Sequence, residues 1–578
     1  MPEQQQQHSN KIRIEVDGQA LPEQLETRLV GAVVDDSLNL PDLFVLSFRD
    51  PERAVLDQGG FRIGATVKVA VVSEAGPTGE ELIHGEVTAL EIEADSAGTT
   101  TVVRGLDHAH RLFRGRVTES YTDVTYSDVA RKVAQRVRLE VGRIDPTATV
   151  HPLVSQVNVC DWQFLTGLAA EIGYEVAVLD GKFEFRAPTD SGEAPSTGEL
   201  STQDPLQLTL GANLLRLHAI LTSAEQVTEV KVRGWDVAKK QELIGSAPAQ
   251  TANAELTVTP GELAGTFGDP GYVGVDVPFR TQAEVDAAAK AVADQIAGAF
   301  AEVEGVARGN PKLRAGTAVS LGLAGRPFDG KYTLTATRHV YDPEEGYTTR
   351  FTVSGRQERS LLGLASGGGR QGNGVARPIQ GVAVAQVTDV GDPEDQGRVR
   401  LRFPWLSDAY VTDWVRTVQP GAGADRGAVV LPEVDDEVLV AFEQGDVRRP
   451  YLLGGLFNGV DTPRLGDRLI DASTGAVNRR GFISRKGHCL VFLDGDGDEG
   501  VAILSGDRGL RVSLNQSTTT LKLTSSGNVE IQGSRDVTIK AGGSLRLEAT
   551  SAVELKGTKV AVTGSGPVEV KGNPIQLN

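Results

Sequence analysis

Cysteine is almost missing from this chain of 578 residues, which has only Cys160 and Cys489, 329 positions apart. So few thiols exclude a disulfide-stapled scaffold and imply a reducing compartment or indifference to redox state. No stretch reaches the about 18 apolar residues of a membrane-crossing helix, and the polar, glutamine-rich first ten residues lack the apolar core of a secretory signal. The expectation is a soluble protein made in the cytoplasm. Basic charge is also short: 58 Lys and Arg stand against 77 Asp and Glu, a net charge of −19. That balance argues against a nucleic-acid surface, which needs clustered Lys and Arg. The last part of the chain has no cysteine after Cys489, no histidine after His488 and no aromatic residue after Phe492. A narrow repeating shaft fits those absences, because rings would break a repeat and no site chemistry is hosted there.

What the tail does contain is a rhythm. Aliphatic pairs with one residue between them recur as Val512/Leu514, Leu521/Leu523, Val529/Ile531, Val537/Ile539, Leu545/Leu547, Val553/Leu555, Val560/Val562, Val568/Val570 and Ile575/Leu577. Spacing of two puts both members on one face of an extended strand. The pairs start at steps of 9, 8, 8, 8, 8, 7, 8 and 7 residues, the pattern of a strand and corner repeated as a β-solenoid or prism. A disordered Ser/Thr/Gly-rich tail would not hold nine pairs in register. One chain of such short strands has no opposing layer for its stripe, so partner chains are needed, and an intertwined homotrimer is expected. The residues expected in its core are Val529, Ile531, Val537, Ile539, Leu545, Leu547, Val553, Leu555, Val568 and Val570. Eight Lys and Arg against five Asp and Glu from Arg511 onward leave the tail at +3 and the body at −22.

Upstream the chain reads as mainly β with minor α. At this length three or four domains are expected. Residues 1–120 alternate as strands and are expected to form a first β-barrel. Residues 121–204 form an α/β insert with helical spacing over 126–137 and 161–172, the second helix opened by Asp161 as N-cap. Asp180 and Gly181 between Val178 and Phe183 signal a hairpin. Residues 205–365 read as a second barrel, interrupted by an alanine-rich helix over 282–301. The words Val103, Arg104, Gly105, Leu106, Asp107 and Val232, Arg233, Gly234, Trp235, Asp236 echo each other at an offset of 129 residues and suggest duplication of a barrel. A Gly-rich linker over 366–378 precedes a compact all-β block over 379–459 that suits an OB-type barrel. Residues 460–510 connect it to the needle over 511–578.

At that block the chain resembles the VgrG family, the spike proteins of contractile injection systems and phage tails. The matching residues are Asp392, Pro393, then Gly397 through Trp405, Trp414, Val415, Arg416, Gln419 to Gly423, Leu431, Pro432, Asp436 to Phe442, Gly445, Asp446, Arg449, Pro450, Tyr451 and 454–458. Asp435 departs, standing where the family usually has glycine. Earlier residues resemble the phage late-control D or tail-hub portion: Leu40, Pro41, Asp42; Gly85, Glu86, Val87; Gly105, Leu106, Asp107; His110, Arg111, Leu112; Gln156, Asn158, Asp161; Phe164, Leu165; Leu168, Ala169; Gly173, Tyr174. Residues 478–488 resemble the segment joining barrel to needle. The resemblance implies a homotrimeric hub and spike at the tip of an inner tube, with pseudo-sixfold hub barrels and a needle driven through a target envelope on sheath contraction. Its implied partners are the inner tube protein, baseplate proteins, a PAAR-type tip protein held through Pro574, Ile575, Leu577 and Asn578, and effector cargo; a membrane is met only by piercing. Assembly into a contractile particle after cytoplasmic synthesis follows, with release from the cell or delivery into a target.

No cofactor, metal or enzyme activity is expected. Residues 494–500 imitate a calcium loop but place Glu499 and Ser505 where an EF-hand needs Gly and Glu, so a solvated turn is expected. His108 and His110 read as neighbours on one strand face with no further ligand in sight. A histidine metal site at the needle tip, known in some phage spikes, is excluded by the histidine-free tail. The 51 residues over 460–510 are too few for an inserted lysozyme domain, and no room is read after the last repeat for a fused toxin. The rival readings are an adhesive, receptor-binding fibre, which should end in a globular head, and an envelope-degrading enzyme, which should carry a catalytic constellation in a domain of its own.

Overall fold

The computed structural model describes residues 10–576 apart from 39, 74–78, 97, 199–202, 356–378, 380, 408 and 467. The expected Gly-rich linker and the ends Leu577 and Asn578 lie outside the described residues. Strands hold 42% of the chain and helices 13%, which makes the fold mainly β with minor α, as the sequence predicts. Two compact units divide it, residues 1–458 and 459–578.

The first unit is organised by one sheet of eleven strands. Its order is Leu214–Leu221, Ala301–Arg308, Gly346–Val353, Ala336–Asp342, Leu29–Ser37, Leu43–Arg49, Gly98–Asp107, Glu80–Asp95, Thr66–Ser73, Asn10–Val16 and Gln19–Ala20. The antiparallel pairing of Leu29–Ser37 with Ala336–Asp342 makes the strands of the two expected barrels continuous. Strict alternation explains why these segments are strands: in Leu43–Arg49, Phe44, Leu46 and Phe48 are fully buried while their neighbours are half-exposed. Each such side chain contributes about 1.5–3 kcal/mol on burial.

The echoed words do not occupy equivalent places. Val103 to Asp107 sit in the long sheet between Leu43–Arg49 and Glu80–Asp95. Val232 to Asp236 sit in a separate three-stranded sheet, antiparallel to Gln241–Pro248 and parallel to Gly271–Phe279. What they share is local: a Cβ on Gly105 would lie 2.2 Å from the Phe44 ring, and one on Gly234 2.7 Å from the Phe279 carbonyl. Each glycine permits a close approach, and the likeness goes no further.

The α/β insert pairs Val117–Val124 with His151–Val159 and packs the helices Tyr126–Arg136 and Asp161–Ile172 around Phe164, Leu165, Leu168, Phe183 and Phe185. Thr125 and Asp128 form a capping box on the first helix. The second helix corrects the sequence reading: Cys160 is its N-cap residue, without a side-chain cap, and Asp161 is the first helical residue, buried in an ion pair. Asp180 and Gly181 both take left-handed φ, 50° and 77°, and close the expected hairpin between Glu175–Leu179 and Lys182–Arg186. The helix Gln282–Gly298, capped by Thr281 and Glu284, packs on the three-stranded sheet through Val285, Ala288, Ala289 and Ala293.

The barrel block is a five-stranded sheet in the order Arg400–Arg402, Val382–Asp389, Glu437–Phe442, Pro450–Gly455 and Arg416–Thr417, around Val387, Leu401, Phe403, Tyr410, Val438 and Val440. Asp435 has φ 76°, so the position occupied by glycine elsewhere keeps its left-handed turn.

The second unit begins as an antiparallel meander of Arg479–Ile483, Cys489–Leu493, Gly500–Leu504, Leu510–Asn515 and Thr520–Ser525. The acidic residues 494–499, with Gly500 opening the next strand, are the turn between two of these strands. The expected needle boundary at residue 511 falls inside this meander: Val512 faces Leu523 and Leu514 faces Leu521 within the chain. From residue 526 on, no described residue pairs with another strand.

Candidate functional site

Beyond the meander the chain is a series of extended segments. Bends fall at 526–527, 534–535, 542–543, 550–551, 557–558, 565–566 and 573–574, so each aliphatic pair has a segment of its own. The described side chains of the stripe, from Val529 to Ile575, are 48% to 73% exposed. Pro574 lies in the last bend, beside Ile575. On the alternate positions stand ions: Arg546 pairs with Glu548 at 2.7 Å, and Lys571 with Glu569. Most segments therefore have a polar or charged face and an apolar face, and among the described residues nothing covers the apolar one. A row of exposed aliphatics this long is rare in a monomer and marks an interaction surface.

The first unit carries the hub residues named in the sequence, and the structure pairs them off. Glu86 receives Arg111 at 2.5 Å and His110 at 2.7 Å. Burial alone would raise its carboxyl, but those two hydrogen bonds hold it at about 2. Asp161 receives Gln156 at 2.8 Å and Arg136 at 2.5 Å. Asp42 and Asp107 meet Asp36 around a cavity of about 10 Å³, room for one water. Arg314 donates to Asp36 at 2.8 Å. Burial, with the charges of its neighbours, pushes Asp42 well above the carboxylate range, and burial above all pushes Asp107 up to about 8. His108 and His110 lie on a short 3-10 helix, His108–Phe113, after the strand and not on one strand face. His108 meets His84 edge-on at 5.3 Å, while His110 serves Glu86. Among the described residues no group of three or more His, Cys, Asp or Glu is placed to hold a metal ion.

Sequence reasoning missed the junction between insert and barrel. Arg448 donates to Glu171 at 3.2 Å and to Asp446 at 3.1 Å, and Tyr126 donates to the other oxygen of Glu171. Arg449 stands 3.8 Å from Glu284, Arg280 donates to Glu443 at 3.3 Å, and Ser155 bonds Tyr410 at 2.9 Å. The only signal was the adjacency of Arg448 and Arg449 after the Gly445, Asp446 turn. An interior ion network of this kind, in which Arg280 Nε and Arg449 Nε are buried without a hydrogen-bond partner, fixes geometry more than it adds stability.

An eleven-stranded hub sheet, a small α/β insert and an OB-type barrel, ahead of a tail with an uncovered stripe, define a tail-spike class of protein. A model of the Alg8 N-terminal domain matches residues 9–342, and a model of the type VI secretion system/phage-baseplate injector OB domain matches residues 383–457. The first covers more than half of the chain, and the chain belongs to that family, with the barrel of the VgrG-type spikes. The type VI secretion system spike protein VgrG2a of Pseudomonas aeruginosa is 32% identical over 93 residues, 15% of this chain and 11% of that protein. The actin cross-linking toxin VgrG1 of Vibrio cholerae is 34% identical over 76 residues, 12% of this chain and 7% of that protein. These matches thus span about a tenth or less of the relatives' own length. In overall fold the chain is similar to a solved Francisella PdpA-VgrG complex in its half-lidded form, with a TM-score of 0.54 at 8% identity, covering 90% of this chain and 88% of that one. Together these likenesses support a structural role in a tail spike. No helix among the described residues is long and apolar enough to cross a membrane.

Proposed function

We propose that this chain is the hub and spike of a contractile injection machine, acting as a homotrimer and not as an enzyme. The uncovered stripe of the tail carries this reading. Three copies offer each apolar face two others to pack on, and the polar or charged face stays in water. Val529, Ile531, Val537, Ile539, Leu545, Leu547, Val553, Leu555, Val568 and Val570 then form the shared core. A shaft in which strands of all copies interlock fails only when many contacts break together, which suits a part pushed through an envelope when a sheath contracts. The hub sheets would meet the inner tube and baseplate, Pro574 and Ile575 would lie at the seat of a PAAR-type tip protein, and effector cargo would travel with the spike. Measurement of mass in solution tests the assembly: a trimer is expected, and a stable monomer with protease-resistant residues 526–576 would overturn the reading.

A further inference from the structure

A cavity of about 330 Å³ opens in the first unit where the helices Tyr126–Arg136, Asp161–Ile172 and Gln282–Gly298 approach the segment 146–151. That volume lies at the lower end of small-ligand sites. Tyr126, Ile172, Tyr174 and Phe279 supply its walls. The Tyr126 and His151 rings stack at 4.2 Å and 6°, so a flat aromatic surface is already in place. Both charged groups that line the cavity are carboxylates, Glu171 and Glu284. The arginines reach them from the barrel hairpin, and neither Arg448 nor Arg449 lines the space.

Glu171 retains capacity for a guest, while Glu284 adds negative charge at the rim. Glu171 accepts one bond from Tyr126 and one from Arg448, about half of what two carboxylate oxygens can take. Glu284 is fixed at the helix start by the backbone N–H groups of Arg280 and Thr281, at 2.9 and 3.0 Å, and is held at about 2 against the effect of burial by His151, the Arg280 N–H and the charge of Arg449. It is therefore ionised throughout the physiological range. Aromatic faces beside fixed negative charge select a cation with an apolar stem.

We infer that this cavity binds an alkyl-guanidinium or alkyl-ammonium group, its head toward Glu171 and Glu284 and its stem along Tyr174, Phe279 and Ile172. Such a group could be a free amine or an arginine or lysine side chain of another protein. The site stands independently of the spike reading, since binding is measurable whatever the chain's assembly.

Calorimetric titration of the full chain tests it with three probes: agmatine for a free amine, an end-blocked Gly-Arg-Gly peptide for a side chain, and 1-butanol as a neutral stem. At least one cationic probe is expected to bind with a submillimolar Kd, with butanol weaker by about tenfold or more. Agmatine binding alone marks a small-amine site, and preference for the peptide marks a protein side chain. Ala287→Phe, at a half-buried lining position, should cut binding by about tenfold. If that variant misfolds, Ala283→Trp on the exposed rim carries the same test. Failure of both cations to bind at millimolar concentration, equal binding of butanol, or binding untouched in the folded blocking variant would overturn the inference.

Discussion

Phe44, Leu46 and Phe48 alternate along one strand and are completely buried; Val537 and Ile539 have the same spacing and are more than half exposed. The difference lies in what surrounds the strand. Around Leu43–Arg49 the apolar face finds a second layer within the chain, in a core shared with Ile14, Val34, Val67 and Val103. After residue 525 the chain supplies segments of the right pattern and no second layer. The same period-two code thus specifies a finished core in one region and an uncovered apolar stripe in the other.

The largest expected effect tests the tail. Ile539→Asp combined with Leu547→Asp puts carboxylates into the shared core at several kcal/mol per site, and the assembly should be lost by solution mass while the first unit keeps its melting transition. Intact assemblies from this variant would mean the stripe is not a core at all. Next is the junction: Arg448→Ala leaves Glu171 buried without its cation and should cost the first unit about 3–5 kcal/mol in denaturant unfolding, with the mass unchanged. A loss below about 1 kcal/mol would show that water reaches the network.

A smaller effect concerns pH. Asp107 has a folded pKa raised to about 8, so the folded state holds a proton that the unfolded chain has released, and stability falls as pH rises toward 8. Buried His339, pushed down to about 3, works in the opposite sense only below its unfolded value near 6.5. Between pH 6.5 and 8 the first unit should therefore lose stability, and Asp107→Asn should lessen that slope, leaving the share of Asp42, whose carboxyl is also raised. A stability curve flat over this window in the unaltered protein would place a compensating charge beside Asp36 and Asp42. Smallest is Asp435→Gly, which removes the cost of a left-handed φ and should stabilise the barrel by about 1 kcal/mol or less in thermal unfolding.

Local features were legible in the sequence because their causes are local. The Asp180, Gly181 hairpin, the Tyr126–Arg136 helix and the left-handed Asp435 follow from residues within a turn of one another. The barrel was legible as a run of matching words. Pairing of Leu29–Ser37 with Ala336–Asp342 was not, because a strand's pattern states which face is apolar and not which of many strands lies beside it. The five-residue echo misled for the same reason. Asp161 reads as an N-cap by type, but it stands one position into the helix and is ion-paired to Arg136, a partner 25 residues away that the local pattern does not announce. The junction of Arg448, Glu171 and Asp446 joins residues 277 positions apart and left no trace beyond a pair of adjacent arginines.

The meander over residues 479–525 has a consequence for how copies of the tail would align. Its successors are nearly interchangeable: sliding one tail past another by a single repeat sets aliphatic pairs against aliphatic pairs again, with only the end repeats left over. Nothing inside such a ladder distinguishes the correct rung from the next. Strands closed by short turns form early and locally, and this block has five of them with unequal connections. In the proposed trimer it would give each tail a fixed origin from which the rungs are counted, and the repeats could remain simple because the counting would be done before they begin.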